Sequence, residues 1–509
     1  MANFTTSSMK IQNKFHEQPS DILMKKIFEK NHNTNPDGEK FGICDIITSH
    51  IIEQEVVKKP KKIHIIADSS GSMDDPQSND GGKTKMEQVK FILRNILHTF
   101  SEQNIQISLT LDTFSDEITN IFKNQIITEE NIEKLINLIN KIRPDAGTNI
   151  ELALQTATSL CDEDIENDFE KDFILLTDGD ATSGNCSQSC LIDLVSDKMT
   201  NSFCGIGSQH NSALLTGMAK KYSGEYSYMN VREKSPFIIG EILSSIIKRI
   251  STKTTLTIEN GLVYNYITNT WVKSLNIGSL SIGKTLTYQI KSSTPEMVQV
   301  HINGFDMNNQ NISIISSNLM TFQDLTEYMF RQLVQEAIFS SLQIKPSDSL
   351  EKIDSMKNKI LSLYDSIKEF QNRQGLEQGK GLLGVLLDDL FVISNTVGRF
   401  EGNMYSNSRQ TSQGRQTTCR ANFTSFKGNI PHQYTQDCED DETSDFHTVV
   451  MMRGISSARK GDDSYDIEKN EELFENPKIK FRLSRSISVY NTGSDIESDK
   501  GSHREISGI

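Results

Sequence analysis

From Lys62 to Met229 the hydrophobic pattern switches repeatedly between a period of two and a period near 3.6. KIHIIAD (62–68), IQISLTLDTFSD (105–116), DFILLTDG (172–179), SFCGIGS (202–208) and EYSYM (225–229) read as strands. Between them lie KMEQVKFILRNILHTF (85–100), NIEKLINLINKI (131–142), IELALQTATSLC (150–161), LIDLVSDKMT (191–200) and ALLTGMAKKYS (213–223). These carry apolar residues at helical spacing, as Val89, Ile92, Leu93, Ile96 and Leu97 do in the first. A helix between consecutive strands returns the chain to its starting edge, so the strands pair mainly in parallel and helices cover both faces. Ligands of such sheets sit beyond the carboxyl ends of the strands, at a topological switch point. The turns after Ala67 and Leu176 lie at such ends.

The first turn reads DSSGSMDD (68–75), in which the oxygen-bearing side chains of Asp68, Ser70 and Ser72 alternate and so can be aimed at one point. The loop PDAGTNIE (144–151) places the Thr148 hydroxyl just before a helix, with Gly147 ahead of it to take an unusual backbone angle. LLTDGD adds Asp178. Three hydroxyls and two carboxylates form an all-oxygen set, the kind that holds a hard cation, and a set with few charges suits Mg²⁺, which keeps water ligands readily. Asp-x-Ser-x-Ser alone also arises from serine-rich turns and helix caps. The ordered recurrence of donors at three strand or helix ends is the stronger signal. Asp74, Asp75, Asp145 and Asp180 read as solvated loop acids, with a supporting place behind a ligand as the alternative for Asp180.

Catalytic readings of the same residues fail. GGKT at 81–84 has part of a phosphate-binding loop, but the full pattern needs glycine where Gln77 stands. The nucleophile elbow does not fit around Ser70, because Asp68 occupies its first glycine position. A phosphatase with an aspartate nucleophile would want a second aspartate where Ser70 stands. No motif places a histidine beside these groups, so the chain reads as a non-enzyme. Cys186 and Cys190, with Cys161 and Cys204, lack zinc-ribbon or RING spacing and read as ordinary thiols; His210 reads as a packing or capping residue.

DSSGS, GTN and TDG, in this order, resemble the metal-ion-dependent adhesion site of a von Willebrand factor A domain, over residues 61–250. The resemblance implies a Rossmann-like α/β fold with one divalent ion at its top. It also implies Asp68, Ser70, Ser72, Thr148 and Asp178 as the metal set, with Mg²⁺ as the ion and Mn²⁺ or Ca²⁺ as alternatives.

Residues 1–60 read as an irregular lead-in with a short helix at 21–30. Beyond Ser251 the period falls to two, and TTLTIENG, TWVKSLNIG, KTLTYQIK and VQVHINGFD read as an antiparallel β region over 251–316, with the lone Trp271 in its core. Residues 317–400 turn helical. Ile353, Met356, Ile360, Leu363, Ile367 and Phe370 form an apolar seam that packs as a helical hairpin with 382–394. A polar extension follows over 401–440. The order of these parts is similar to the VWA/Hh intein-like region that follows some A domains, over about 251–440, with diffuse motifs. RING and intein cysteine patterns are missing, so neither ubiquitin ligation nor splicing carries over. Residues 441–509, with CEDDETSD and RLSRSISVYNTGSDIESDK, read as a disordered charged tail in which Ser484, Ser486 and Ser488 are phosphorylation candidates.

A formal net charge of −15 argues against bulk attraction to nucleic acid or anionic lipid. Seven scattered cysteines read as reduced thiols, and neither a secretory apolar stretch nor a membrane-length apolar run appears. The expectation is an intracellular, cytoplasmic protein. Its expected partner is a protein presenting an acidic residue to the metal. A substrate-recruiting subunit of a ubiquitin-ligase complex and a structural A-domain protein that does not use the metal are the alternatives.

Overall fold

In the computed structural model the described residues are 9–17, 39–48, 61–76, 84–101, 107–145, 147–163, 170–207, 209–229, 235–282, 285–307, 309–316, 320–376 and 381–415. The short helix at 21–30 and the tail from 441 onward lie outside them.

The parallel sheet expected from the alternation is present. In chain order its elements are β3 (Lys61–Asp68), α1 (Lys85–Ser101), β4 (Ile107–Phe114), β5 (Ile118–Ile126), α2 (Ile132–Asn140), α3 (Ile150–Glu163) and β6 (Glu170–Thr177). There follow α4 (Gln188–Asp193), β7 (Thr200–Ile206), α5 (Ser212–Lys221), β8 (Glu225–Met229) and α6 (Ser235–Ile247). The strand order is β5-β4-β3-β6-β7-β8, all parallel except the antiparallel edge pair β4–β5. Period-two alternation sorts the strand side chains into two cores. Ile174 and Leu176 of β6 join the core beneath α1, α2 and α6, whereas Phe173 and Leu175 face α3, α4 and α5. The sequence reading passed over β5, whose pattern is mostly solvent-facing, and extended the helix at 191–200 into what is the start of β7.

The N-terminal expectation is corrected. Two strands, β1 (Met9–His16) and β2 (Lys40–Thr48), come from the supposed lead-in, and Met9, Ile11, Asn13 and Phe15 of β1 are buried. The rest of the β sandwich is β9 (Arg249–Glu259), β10 (Leu262–Asn265), β11 (Thr270–Val272), β12 (Ser274–Ser281), β13 (Thr285–Ser292), β14 (Gln299–Asp306), β15 (Asn311–Ile315) and β16 (Met320–Gln323). One sheet runs β11-β10-β13-β2-β1-β16 and the other β12-β9-β14-β15. β2 pairs antiparallel with β13 from Lys40↔Ser292 to Ile47↔Thr285, so the sandwich is closed by chain on both sides of the α/β domain. Trp271 is half-buried on β11, its ring tilted against that of Tyr264 with centroids 5.4 Å apart.

Four helices complete the described residues: α7 (Thr326–Ser341), α8 (Leu350–Gln374), α9 (Gly381–Thr396) and α10 (Gly402–Arg415). α8 packs on α9 as the seam suggests, with Met356, Ile360, Ile367 and Phe370 buried. Over residues 402–415, α10 corrects the reading of 401–440 as a polar extension, since Ser406, Asn407, Ser408, Arg409, Gln410 and Gln413 are buried. Arg409 donates to Asp388 and to Asp389 Oδ1 (2.8 Å), and Gln413 Nε2 donates to Asp389 Oδ2 (2.6 Å). Tyr405 meets Tyr228 of β8 edge-on at 5.1 Å, so the helices and the α/β domain share one apolar core.

Phe15→Ala tests the N-terminal correction. Phe15 is fully buried in the sandwich core, so its truncation is expected to cost about 3–5 kcal/mol in urea denaturation. A cost near zero would put the N-terminal strand outside the core.

Candidate metal site

β3 lies between β4 and β6, with Ala67 opposite Leu176, so the chain leaves β3 and β6 side by side at the top of the sheet. The five expected site residues are found there. Asp68, Ser70, Thr148 and Asp178 are almost fully buried and Ser72 is half-buried. Ser70 N–H donates to Asp68 Oδ1 (2.8 Å), and Thr177 Oγ1 donates to Asp68 Oδ2 (2.6 Å). The Ser70 and Ser72 hydroxyls are 3.0 Å apart, and Ser72 Oγ donates to Asp178 Oδ1 (2.9 Å). Asp68, Ser70, Ser72 and Asp178 are thus linked in one hydrogen-bonded chain, the first link made by the Ser70 amide.

The second loop is strapped to the first and third. Asp145 N–H donates to the Ser69 carbonyl (2.6 Å), and Thr148 exchanges hydrogen bonds with Thr182, through Thr148 N–H to Thr182 Oγ1 and Thr182 N–H to the Thr148 carbonyl (2.9 Å each). Asp116, from the β4–β5 turn, accepts from Gly147 N–H (3.1 Å) and Ser183 Oγ (2.6 Å), clamping both loops. A Cβ on Gly147 would fall 2.1 Å from Asp116 Oδ1, so this clamp needs glycine for space. A Cβ on Gly179 would stand 3.9 Å from Thr148 Oγ1, which brings the Thr148 hydroxyl to the neighbourhood of Asp178. Asp74, Asp75, Asp145 and Asp180 are exposed, as solvated loop acids are.

Sequence reasoning missed Lys85. Its Nζ donates to Asp178 Oδ2 at 2.6 Å and stands 3.8 Å from Asp75 Oδ2, with the Lys85 and Asp178 side chains 6% and 0% exposed. Its stem crosses Gly207, which has φ +67° and would set a Cβ 3.4 Å from Lys85 Cε. A signal was available: Lys85 opens α1, where the helix dipole disfavours a cation. Such a placement calls for a nearby anion. Thr177 and Asp116 were also missed, since neither belongs to the spaced motif.

Burial raises the Asp68 carboxyl to about 6, and the Asp178 charge adds to the rise while the Thr177 and Ser70 hydrogen bonds oppose it. The oxygen set fits a hard divalent cation: it offers hydroxyls and carboxylates, and the buried Asp68 charge is costly until a cation neutralises it. Among the described residues no group of three or more His, Cys, Asp or Glu side chains gathers, and Cys161, Cys186, Cys190 and Cys204 form no disulfide. His210 packs, as expected. Its Nε2 lies 2.7 Å from Tyr226 Oη and its Nδ1 2.8 Å from the Gly207 carbonyl, and burial lowers it to about 4.

The doubly wound sheet with three loops converging at its top defines a Rossmann-like α/β domain. Residues 62–241 match the von Willebrand factor type A domain, and this part of the chain is such a domain. The mouse protein inter alpha-trypsin inhibitor, heavy chain 4 is 31% identical over 186 residues, a match spanning 34% of this chain and 18% of that protein. Among solved structures, a von Willebrand factor type A protein from Catenulispora acidiphila is 12% identical with a TM-score of 0.52, over 79% of this chain and 96% of that one. The ArnB paralog VWA2 from Sulfolobus acidocaldarius is 14% identical with a TM-score of 0.48, over 81% and 99%. Type A domains generally mediate protein–protein interactions. No described helix is long and apolar enough to cross a membrane.

A raised acid holds its proton more tightly folded than unfolded. In metal-free protein, stability therefore falls as pH rises from about 4 to about 6, and above that window the loss is on the order of 3 kcal/mol. In EDTA, Asp68→Asn is expected to unfold at higher urea than the wild type at pH 7, with the advantage gone by pH 4. Equal midpoints at both pH values would contradict the strained carboxylate.

Proposed function

We propose that the chain is a divalent-metal-dependent protein-binding module that captures an acidic group of its partner at the Asp68–Ser70–Ser72–Thr148–Asp178 site. The observation that carries this reading is the hydrogen-bonded chain from Asp68 through Ser70 and Ser72 to Asp178, whose side chains are two hydroxyls and two carboxylates. Mg²⁺, or Mn²⁺ in its place, would supply Lewis-acid attraction for a partner's oxygen. Ser70, Ser72 and Thr148 offer neutral lone pairs, and Asp68 and Asp178 offer the charge. Thr177 and the Ser70 N–H orient Asp68, while the Asp116 clamp holds the loop that carries Thr148. A carboxylate about 4 Å from a divalent cation gains on the order of 8 kcal/mol at an effective dielectric of 20, before desolvation and the charge of the site's own carboxylates are set against it. An acidic residue is therefore a sufficient anchor for an interface.

Isothermal titration with Mg²⁺ or Mn²⁺ is expected to show one site that Asp68→Ala abolishes. Partner retained on the immobilised chain in Mg²⁺ should elute with EDTA, and Thr148→Ala should weaken retention without changing the unfolding midpoint appreciably. Leu175→Ala, in the core, should instead lower stability by about 2–5 kcal/mol. Retention indifferent to both EDTA and Thr148→Ala would place the partner elsewhere.

A further inference from the structure

We propose that Lys85 is the specificity-determining residue of this site: its ammonium opposes the metal and reserves the metal-loaded site for a carboxylate brought from outside. The inference rests on the metal-dependent reading above and goes beyond it by giving a role to a residue outside the metal set.

The geometry is that of a built-in counter-ion. Lys85 Nζ lies 2.6 Å from Asp178 Oδ2, in a pocket where both side chains are all but inaccessible, while Asp178 Oδ1 accepts the Ser72 hydroxyl. Both oxygens of Asp178 are thus engaged, one by a donor that carries a full charge. Two buried carboxylates against one ammonium leave one negative charge. A divalent cation turns this into one positive charge, held where water screens it poorly. An arriving carboxylate neutralises that surplus. Without the ammonium, the two carboxylates would balance the cation and an external anion would gain much less.

Asp75, the other acid near Nζ at 3.8 Å, is largely exposed and screened, as are Asp74, Asp145 and Asp180. These rim acids can attract a cation to the site but do not offset Lys85 within it. The seat is specific to a long, unbranched stem. Backbone pairing of Lys85 N–H with the Asp75 carbonyl (3.2 Å) fixes its root, and its stem runs beside Gly207.

The test is isothermal titration of the full chain with Mn²⁺, in chloride and in acetate at equal ionic strength. Wild type is compared with Lys85→Met, Lys85→Gln and Lys85→Arg, each checked for native unfolding in EDTA. Both neutral variants are expected to bind Mn²⁺ at least about tenfold more tightly than the wild type in chloride. By linkage, acetate should strengthen Mn²⁺ binding to the wild type and to Lys85→Arg, and have little effect on the neutral variants. Lys85→Gln keeps a donor for Asp178, so it decides the matter if Lys85→Met does not fold. Equal or weaker Mn²⁺ binding by the folded neutral variants, with wild-type binding intact, overturns the role of Lys85 and leaves the metal reading standing. Absence of Mn²⁺ binding from wild type and neutral variants alike overturns both.

Discussion

The parallel pairing of β3 with β6 is the constraint on which the site depends. It runs from Lys61↔Glu170 to Ala67↔Leu176, so the two strands finish together, and Asp68, the last residue of β3, and Asp178, the first residue past β6, emerge near each other. Two like charges placed together in a buried setting repel, and each loses hydration. The surrounding sequence answers this locally. Thr177 and the Ser70 amide donate to Asp68, and Ser72 and Lys85 donate to Asp178. The sheet supplies position, and the loops supply the hydrogen bonds that make it tolerable.

The opposite ends of the same strands are pinned differently. Lys61 pairs with Glu170 at the start of β3 and β6, and Arg249, the first residue of β9, grips Asp172 with both Nη atoms (3.0 and 2.6 Å) and stands 3.6 Å from Glu170. Burial works against the charge of Lys61 and raises Glu170, and mutual pairing offsets part of each cost. Breaking one partner of such a buried group is far more damaging than replacing the whole set with apolar residues. The network therefore fixes how the β sandwich follows from the α/β domain, whatever its net contribution to stability.

Legibility in the sequence followed the distance over which each feature is determined. Strands β3, β6, β7 and β8 and most of the helices were readable because hydrophobic period is local, and the five candidate site residues could be named because each piece of the spaced motif is local. The N-terminal strands were not read, although Met9, Ile11, Asn13 and Phe15 alternate cleanly. β2 finds its partner β13 some 240 residues away, from Ile47 to Thr285, and no turn signal announces such a pairing. The polar α10 was misread for the related reason that Arg409 and Gln413 are satisfied by Asp388 and Asp389 on another helix. Composition makes that segment look solvated, and only the tertiary partners make it core.

Lys85 belongs to the same class of hidden residues, yet it is the one that bears most on function. A helix-opening lysine is weakly disfavoured on its own account, and its burial is costly unless an acid meets it. Asp178 is that acid. The local penalty and the remote remedy identify each other, which makes a residue that offends a local rule the place to look for a partner across the fold. The five-residue motif describes what can hold a cation. In the proposed role, the sixth residue, outside the motif, sets how much charge would remain once a cation is held, and the proposed preference for an acidic partner rests on that remainder.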